Sequence, residues 1–214
     1  MKYYPIYLDM RGRPCLVIGG GTVAERKTLT LLEAGADITI VSPTLTLKLQ
    51  ELSRSGKITH RKKNYEEKDL SGEFIVIAAT DSPEVNSSAA LACKNRHILV
   101  NVVVPPDESS FIVPSVVERG DLLIAVSTGG ISPALAKKIR QELEACYGTE
   151  YTHFLGKLAK VRKRVLEEVP DEQKRRSIFQ AIVDADVIDL LKQGRTHEAD
   201  VRIEEISRLA QRGG

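Results

Sequence analysis

The 214-residue chain has few features that would tie it to a membrane or to nucleic acid. Its longest apolar runs fall well short of the roughly 20 residues that a membrane-spanning helix needs. The first ten residues, MKYYPIYLDM, show no long apolar segment of the secretory type. A formal net charge of +2 is too small to indicate binding to DNA or RNA. We therefore expect neither a membrane nor a nucleic acid as a partner.

Cysteine is also scarce. Cys15, Cys93 and Cys146 are far apart and odd in number, so they do not form the framework of a disulfide-stabilised secreted domain. No C-x-x-C pair or His/Cys cluster suggests a structural metal, and any metal site stays unknown at this stage. The pattern fits a reducing compartment, and we expect a cytoplasmic protein.

The first 113 residues alternate short apolar runs with amphipathic segments. The runs predict strands at 4–8, 14–19, 37–42, 57–61, 74–79 and 97–104. Two segments, Val23 to Ala34 and Pro83 to Asn95, carry apolar or small residues at helical spacing. Since continuous apolar strands separated by helices are typical of a parallel sheet covered on both faces, this part predicts an α/β domain.

From Phe111 onward the pattern changes. Residues 111–117 and 122–127 predict two strands, and Ser132 before Pro133 predicts a helix that extends to about Tyr147. Residues 150–212 predict helices only. Their four apolar stripes are Phe154, Leu155, Leu158, Val161 and Val165; Ile178, Ile182 and Val183; Val187, Leu190 and Leu191; Ile203, Ile206 and Leu209. We expect three parts: residues 1–113, a strand-and-helix segment at 114–148, and a small all-helical domain at 149–214.

A glycine turn, Gly19-Gly20-Gly21-Thr22-Val23, follows the second predicted strand and opens a helix. In the pattern G-x-G-x-x-A, the first glycine permits a tight turn and the second lets a pyrophosphate approach the backbone. Ala24 lets the helix pack closely on the strand. The free N–H groups at the helix N-terminus then favour phosphate. The turn predicts a dinucleotide in a Rossmann-type domain, and the alternative is a tight turn in a fold that binds no nucleotide.

The end of the next strand bears on which dinucleotide binds. An NAD site usually has Asp or Glu there to bind the ribose hydroxyls. The chain instead has Ser42, Pro43 and Thr44. The two hydroxyl groups can bind a ribose but cannot repel a 2′-phosphate, and no Lys or Arg is present in the turn to attract one. The pattern favours NAD over NADP modestly.

Several stretches taken in order resemble one family: PIYLDMRGRPCLVIGGGTVAERK, LLEAGADITIVSP, IAATD at 77–81, NVV at 101–103, SSFIVPS at 109–115 and AVSTGGISPALAKKIR at 125–140. They are similar to the N-terminal part of siroheme synthases, the precorrin-2 dehydrogenases, some of which are also sirohydrochlorin ferrochelatases. The resemblance covers residues 2 to about 145 closely and the remainder loosely. It implies an NAD-binding Rossmann domain, a dimerisation segment and a homodimer.

The resemblance also implies a reaction and a set of ligands. The reaction is the NAD-dependent oxidation of precorrin-2, a tetrapyrrole, to sirohydrochlorin, followed in bifunctional members by insertion of ferrous iron. By match, Thr22, Val23 and residues 42–44 would line the cofactor. Thr80 and Asp81 end a strand at the carboxyl edge of the sheet, where ligands bind in such folds. Asp81 has a second interpretation, as a helix cap before Pro83.

One position departs from the family. Members with a catalytic carboxylate carry it directly after the N-V-V strand, where this chain has Val104. Asp107, beyond Pro105 and Pro106, is the candidate that would substitute for it. The alternative is that Asp107 is an ordinary solvated acid. Hydride transfer is chemistry of the cofactor, so the departure puts metal insertion in doubt more than dehydrogenation.

A second glycine turn supplies candidate substrate ligands. Ser127, Thr128 and Gly129 precede the helix that begins near Pro133, and Lys137 and Arg140 follow on it. Such groups suit the carboxylates of a tetrapyrrole, and a capped helix with a solvated basic face is the equal alternative. Of the four histidines, His153 is the best candidate for iron, and the basic stretch from Lys160 to Arg164 also suits a polyanion.

Three functions remain open. The first is an NAD-dependent dehydrogenase of precorrin-2. The second is a dehydrogenase of an unrelated small substrate, which the glycine turn alone would allow. The third is a regulatory or sensing module of haem biosynthesis that binds NAD without turnover, which the valine at position 104 leaves possible.

Overall fold

The computed structural model describes residues 2–212, with the backbone alone for 209–212, so the side chain of Leu209 and residues 213 and 214 lie outside it. The contacts divide the chain into two compact units, residues 1–113 and 114–214. The first unit holds the five-stranded sheet. The second holds a two-stranded sheet and five helices among the described residues. The division into three parts expected from the sequence stays a prediction.

The first unit is a parallel α/β domain. Its strands are β1 (Pro14–Ile18), β2 (Asp37–Val41), β3 (Thr59–Arg61), β4 (Ile75–Ala78) and β5 (Leu99–Val102), and its helices are α1 (Thr22–Glu33), α2 (Leu47–Arg54) and α3 (Pro83–Asn95). The strand order is β3-β2-β1-β4-β5, with every pair parallel. This confirms the predicted Rossmann-type sheet.

Alternate residues of β1 face two separate hydrophobic cores. Cys15 and Val17 pack with Ala24 of α1 and Leu49 of α2 on one face. Leu16 and Ile18 pack with Ala89 and Cys93 of α3 on the other face. Because successive side chains of a strand point to opposite faces, a strand buried on both sides must be apolar throughout, as β1 is.

The strand predicted at residues 4–8 is wrong. This segment forms no regular structure, and Tyr4, Ile6 and Tyr7 are exposed. The outer edge of β5 already has partners, since the hydroxyl of Ser110 accepts a hydrogen bond from Val100 N and that of Ser109 from Val102 N. A strand needs a partner, and none of the described strands pairs with residues 4–8.

Other boundaries differ for local reasons. Helix α2 was not expected, because it has eight residues and buries only Leu49 and Leu52. The sixth predicted strand is shorter than expected, since His97 has a positive φ of 57°. The strand expected from residue 111 begins after Pro114, which lacks the N–H that a ladder needs.

The second unit begins with an antiparallel hairpin. Strands β6 (Ser115–Arg119) and β7 (Leu122–Val126) are followed by α4 (Pro133–Cys146), α5 (Glu150–Glu168), α6 (Glu172–Asp184), α7 (Val187–Lys192) and α8 (Thr196–Arg212). The expected cap is present, since Ser132 Oγ accepts from Leu135 N. The predicted apolar stripes form one core around Phe154, Val165 and Ile182. Val183 is an exception, because 56% of it is exposed.

Candidate functional site

The carboxyl ends of β1 and β4 mark the candidate site. From β1 the chain continues through α1 to β2 on one side, whereas β4 lies on the other side of β1. A ligand crevice forms at such a switch point in open α/β sheets. Gly19 to Thr22 follow β1, and Thr80 and Asp81 follow β4, so tertiary structure brings these two groups of predicted site residues to one edge.

The three glycines of the turn differ in what requires them. Gly19 has a φ of 114°, and a Cβ there would lie 2.3 Å from the carbonyl oxygen of Ala79. A Cβ on Gly20 would lie 2.0 Å from the carbonyl oxygen of Thr44. Both glycines are therefore needed by the protein's own packing.

Gly21 has no such requirement within the described part of the chain. Its φ is −83°, which any residue adopts, and a Cβ would meet no heavy atom within 4 Å. The space that the missing Cβ leaves is open and lies at the N-cap of α1. A glycine without an internal need fits a ligand that approaches the backbone closely, so the turn fits the pyrophosphate of a dinucleotide.

The first turn of α1 supplies the donors for that ligand. Gly21 is the N-cap and provides no side chain, while Thr22 is exposed and Val23 half-buried. Ala24 is fully buried, which lets α1 start close to the sheet. The free N–H groups of the first turn and the positive end of the helix favour a phosphate there.

The loop after β2 is held by side chains rather than left free for a ribose. Ser42 is buried, and its hydroxyl donates to the carbonyl of Thr44 at 2.7 Å. Thr46 Oγ1 donates to Glu25 of α1, and its N–H donates to the carbonyl of Gly20. Pro43 and Thr44 remain exposed. Thr44 is thus the better placed of the two predicted hydroxyl ligands, and Ser42 braces the loop.

Asn86 of α3, which the sequence reasoning missed, ties the ends of β4 and β5 together. It is fully buried. Its Oδ1 accepts from Thr80 N at 3.1 Å and Thr80 Oγ1 at 2.8 Å. Its Nδ2 donates to Thr80 O at 3.1 Å and Val104 O at 3.0 Å. An amide between small apolar residues on the buried side of α3 was the signal available in the sequence.

Asp81 does not cap α3. Ser82 does, since its Oγ accepts from Val85 N at 3.3 Å, so the capping interpretation of Asp81 is wrong. The carboxylate of Asp81 is exposed and makes no hydrogen bond or ion pair with the described residues of its unit. It lies two residues beyond Ala79, whose carbonyl touches the glycine turn.

The segment after β5 carries two further acids, Asp107 and Glu108. Val104 is half-exposed. Asp107 is exposed in a short 3-10 helix, Pro106–Glu108, and its catalytic role stays a prediction. Glu108 is anchored to α3, because its Oε1 accepts from the hydroxyl of Ser87 at 3.0 Å.

In the second unit, the predicted substrate ligands are partly committed to internal contacts. Thr128 Oγ1 both accepts from Ser132 N and donates to Ser132 O, each at 3.0 Å. Ser127 Oγ accepts from the N–H of Gly129, which has a φ of 65°. Arg140 is paired with Glu144. Lys137 is exposed and forms no ion pair with the described residues of its unit.

The candidates on α5 are also paired. His153 Nε2 lies 2.9 Å from Asp200 Oδ1, and Arg164 lies 2.7 Å from Glu204. Within the described residues, no group of three or more His, Cys, Asp and Glu side chains could hold a metal ion. Burial raises the pKa of the thiols of Cys15 and Cys93 to about 11, so neither is a thiolate at neutral pH. No helix within residues 2–212 has the length and apolar character to span a membrane.

Comparison with known proteins agrees with this geometry. A family model for NAD(P)-binding domains matches residues 6–115. A model of the central region of sirohaem biosynthesis proteins matches residues 119–145, and one of the sirohaem synthase dimerisation region matches residues 150–206.

Individual relatives match over most of this chain. Siroheme synthase of Methylococcus capsulatus is 38% identical over 200 residues, which are 94% of this chain and 42% of the relative. That of Methylobacillus flagellatus is 38% identical over 201 residues, 92% of this chain and 43% of the relative. The chain thus spans less than half the length of these relatives. A solved structure of SirC, a precorrin-2 dehydrogenase, has a TM-score of 0.80 and 30% identity, over 95% of this chain and all of that one.

The parallel sheet, the glycine turn after β1 and the match to the NAD(P)-binding family model together define a nicotinamide-dinucleotide-binding protein of Rossmann type. The second unit narrows the class, because both of its family models are specific to sirohaem biosynthesis. The chain belongs to the siroheme synthase family, as its sequence resemblance indicated.

Proposed function

We propose that this protein is an NAD-dependent dehydrogenase that oxidises precorrin-2 to sirohydrochlorin in siroheme biosynthesis. The observation that carries the proposal is Gly21, whose missing side chain leaves open space at the N-terminus of α1 and is not required by the fold. The likeness to SirC extends over the whole of that precorrin-2 dehydrogenase, which supports the same substrate here.

Bound at this site, NAD supplies the oxidant, a nicotinamide ring that accepts a hydride. The residues of the chain hold it. The N–H groups of the first turn of α1 bind the pyrophosphate, and Thr44 on its braced loop is placed for a ribose hydroxyl. Residues 42–46, SPTLT, carry no charge, so neither a carboxylate repels a 2′-phosphate nor a cation attracts one. The missing cation is the feature that favours NAD over NADP, and the preference is modest.

The assignment of the remaining site residues belongs to the proposal. Lys137 is the candidate for binding a substrate carboxylate, because it is exposed and unpaired within the described residues of its unit. The match to a dimerisation region supports a homodimer, and the exposed apolar residues Ile131 and Leu135 beside the second glycine turn are candidates for a contact with a second copy. Three free cysteines support a cytoplasmic location.

The test is turnover with authentic substrate. Purified protein is incubated with NAD and precorrin-2 while NADH fluorescence and sirohydrochlorin absorbance are followed. We expect both signals to rise together, and we expect neither in a Gly21→Ala variant that has the melting temperature of the wild type. NAD binding without formation of NADH would instead favour a regulatory module.

A further inference from the structure

The oxidation of precorrin-2 needs a base as well as an oxidant. Removal of two hydrogens breaks two bonds: a C–H bond, whose electron pair leaves with the hydride, and a second C–H or N–H bond, whose hydrogen leaves as a proton while its electron pair becomes part of the new double bond. The hydride goes to the nicotinamide, so the proton needs another acceptor. The candidates at the carboxyl edge of the sheet are the ionisable residues that follow the strands.

These residues are few. The loop after β1 begins with uncharged residues, and residues 42–46 after β2 are uncharged throughout. Arg61 ends β3 and Lys63 follows it, and both pair with Asp69, a buried acid. Four glutamates near this edge have partners as well: Glu25 accepts from Thr46, Glu84 accepts from Ser82, and Glu66 and Glu67 pair with Lys63 and Arg96. The other carboxylates that follow the strands within the described residues of this edge are Asp81 after β4, and Asp107 and Glu108 after β5.

The position in the sheet separates the three. β4 is the direct neighbour of β1, which carries the glycine turn, whereas β5 lies one strand farther away, at about 5 Å per strand. The contact is close, because a Cβ on Gly19 would lie 2.3 Å from Ala79 O and 3.2 Å from Thr80 N. Asp81 is the next residue along the chain.

Hydrogen bonding separates Asp81 from Glu108, whereas Asp107, like Asp81, makes no side-chain hydrogen bond with the described residues of its unit. Glu108 is held by Ser87, and Asp69 is held by two cations. The turn that carries Asp81 is rigid, since Thr80 makes three hydrogen bonds with the buried Asn86. Its carboxylate is nevertheless left without a partner in its unit, and it is not used as a cap. A fixed backbone with a free carboxylate is the arrangement that a general base needs.

Asn86 places Asp81 beside Val104. The single atom Asn86 Nδ2 donates to the carbonyl preceding Asp81 and to the carbonyl of Val104. The two strand ends therefore meet, so the backbone just before Asp81 lies next to that of Val104, a residue that cannot accept a proton.

We propose that Asp81 is the catalytic base, which accepts the proton released from precorrin-2 as the hydride leaves. The proton forms an O–H bond with the carboxylate and passes to solvent from this exposed position. The proposal rests on the proposed dehydrogenase activity, and it assigns to Asp81 the role for which Asp107 was the candidate from sequence.

The experiment compares Asp81→Asn with Asp107→Asn and with Asp37→Asn. Asp37 is the matched control, an exposed aspartate at the amino end of β2, on the opposite edge of the sheet. We expect Asp81→Asn to lower kcat by about 10²-fold or more and to remove the acidic limb of its pH profile, with NAD affinity unchanged. Asp37→Asn should match the wild type, and Asp81→Glu should restore part of the rate.

A second readout does not depend on turnover. The dissociation constant of sirohydrochlorin, measured from its visible absorption in the presence of NADH, should vary with pH through the ionisation of the carboxylate in the wild type. It should lose that step in Asp81→Asn. An active wild type with an unchanged Asp81→Asn variant would overturn the role of Asp81 alone, as would loss of activity in Asp107→Asn instead. A wild type that binds NAD but does not oxidise precorrin-2 would overturn the proposed function itself.

Discussion

Asn86 donates its side-chain amide to the carbonyl of Val104 at 3.0 Å, although the two residues are 18 positions apart and follow different strands. The same nitrogen donates to the carbonyl of Thr80. One buried side chain therefore sets the spacing of the two strand ends beside the glycine turn. The buried polar group is worth retaining because each of its hydrogen-bonding atoms has a partner.

We expect Asn86→Asp to destabilise the protein and to slow the reaction. The substitution keeps the shape but replaces the donor with an oxygen that faces two carbonyl oxygens, which costs about 1–3 kcal/mol or more. Urea denaturation measures the loss. The exposed Ser88→Ala change on the same helix is the control. A variant as stable as the wild type would contradict the clamping role of Asn86.

Substitutions in the glycine turn should separate folding from binding. Gly21→Ala places a Cβ in open space, so we expect an unchanged melting temperature and a loss of NAD binding in calorimetry. Gly20→Ala forces a contact with the carbonyl of Thr44 and should destabilise the protein by about 1–3 kcal/mol. Normal NAD affinity in Gly21→Ala would show that the dinucleotide does not approach the backbone there.

Protonation of Glu204 should make the helical unit less stable in acid. Burial alone would raise the pKa of its carboxyl, but hydrogen bonds from Arg164 and Lys157 outweigh burial, and the net pKa is lowered from 4.5. A lowered folded-state pKa gives stability that is present above the unfolded value and is lost as the pH falls through the folded value. We expect Glu204→Gln to be less stable than the wild type by about 1 kcal/mol at neutral pH.

The difference should shrink as the pH falls from 4.5 through the lower folded-state pKa of Glu204, because the wild-type carboxyl takes up its proton over that range. Thermal unfolding of both proteins across this range provides the measurement. Glu172→Gln serves as the control, since Glu172 pairs with Arg176 on the exposed face of α6. A pH-independent difference between wild type and Glu204→Gln would rule out the ionic origin.

Val104→Asp tests whether the chain can insert metal. Val104 is half-exposed, so a carboxylate there is solvated and should not unfold the protein. We expect the variant to insert ferrous iron into sirohydrochlorin faster than the wild type, because a carboxylate can receive the pyrrole protons. The assay follows the spectral change on metallation. Equal rates, with Val104→Asn as the uncharged control, would show that the residue at 104 does not limit the step.

The apolar pattern of the sequence determined most of the fold, since strands buried on both faces and helices with one buried face are written in local periodicity. The glycine turn, the helix start at Ser132 and Pro133, and the stretches that carry the family resemblance can likewise be recognised from a few neighbouring residues. The prediction of a strand at residues 4–8 failed because a strand forms only with a partner. No local pattern shows whether the edge of a sheet is already covered.

Tertiary structure alone decided the roles of the polar residues. In the sequence, Ser42 and Thr128 cannot be distinguished from hydroxyl side chains that are free to bind a ligand. In the structure, their hydroxyl groups make hydrogen bonds within their own turns. From the sequence, Asp81 was equally a candidate ligand and a candidate helix cap. The structure shows that Ser82 is the cap. Spacing along the chain identifies which groups are present. Which of them remain free to bind or react depends on partners that are distant in sequence, such as Asn86 and Val104.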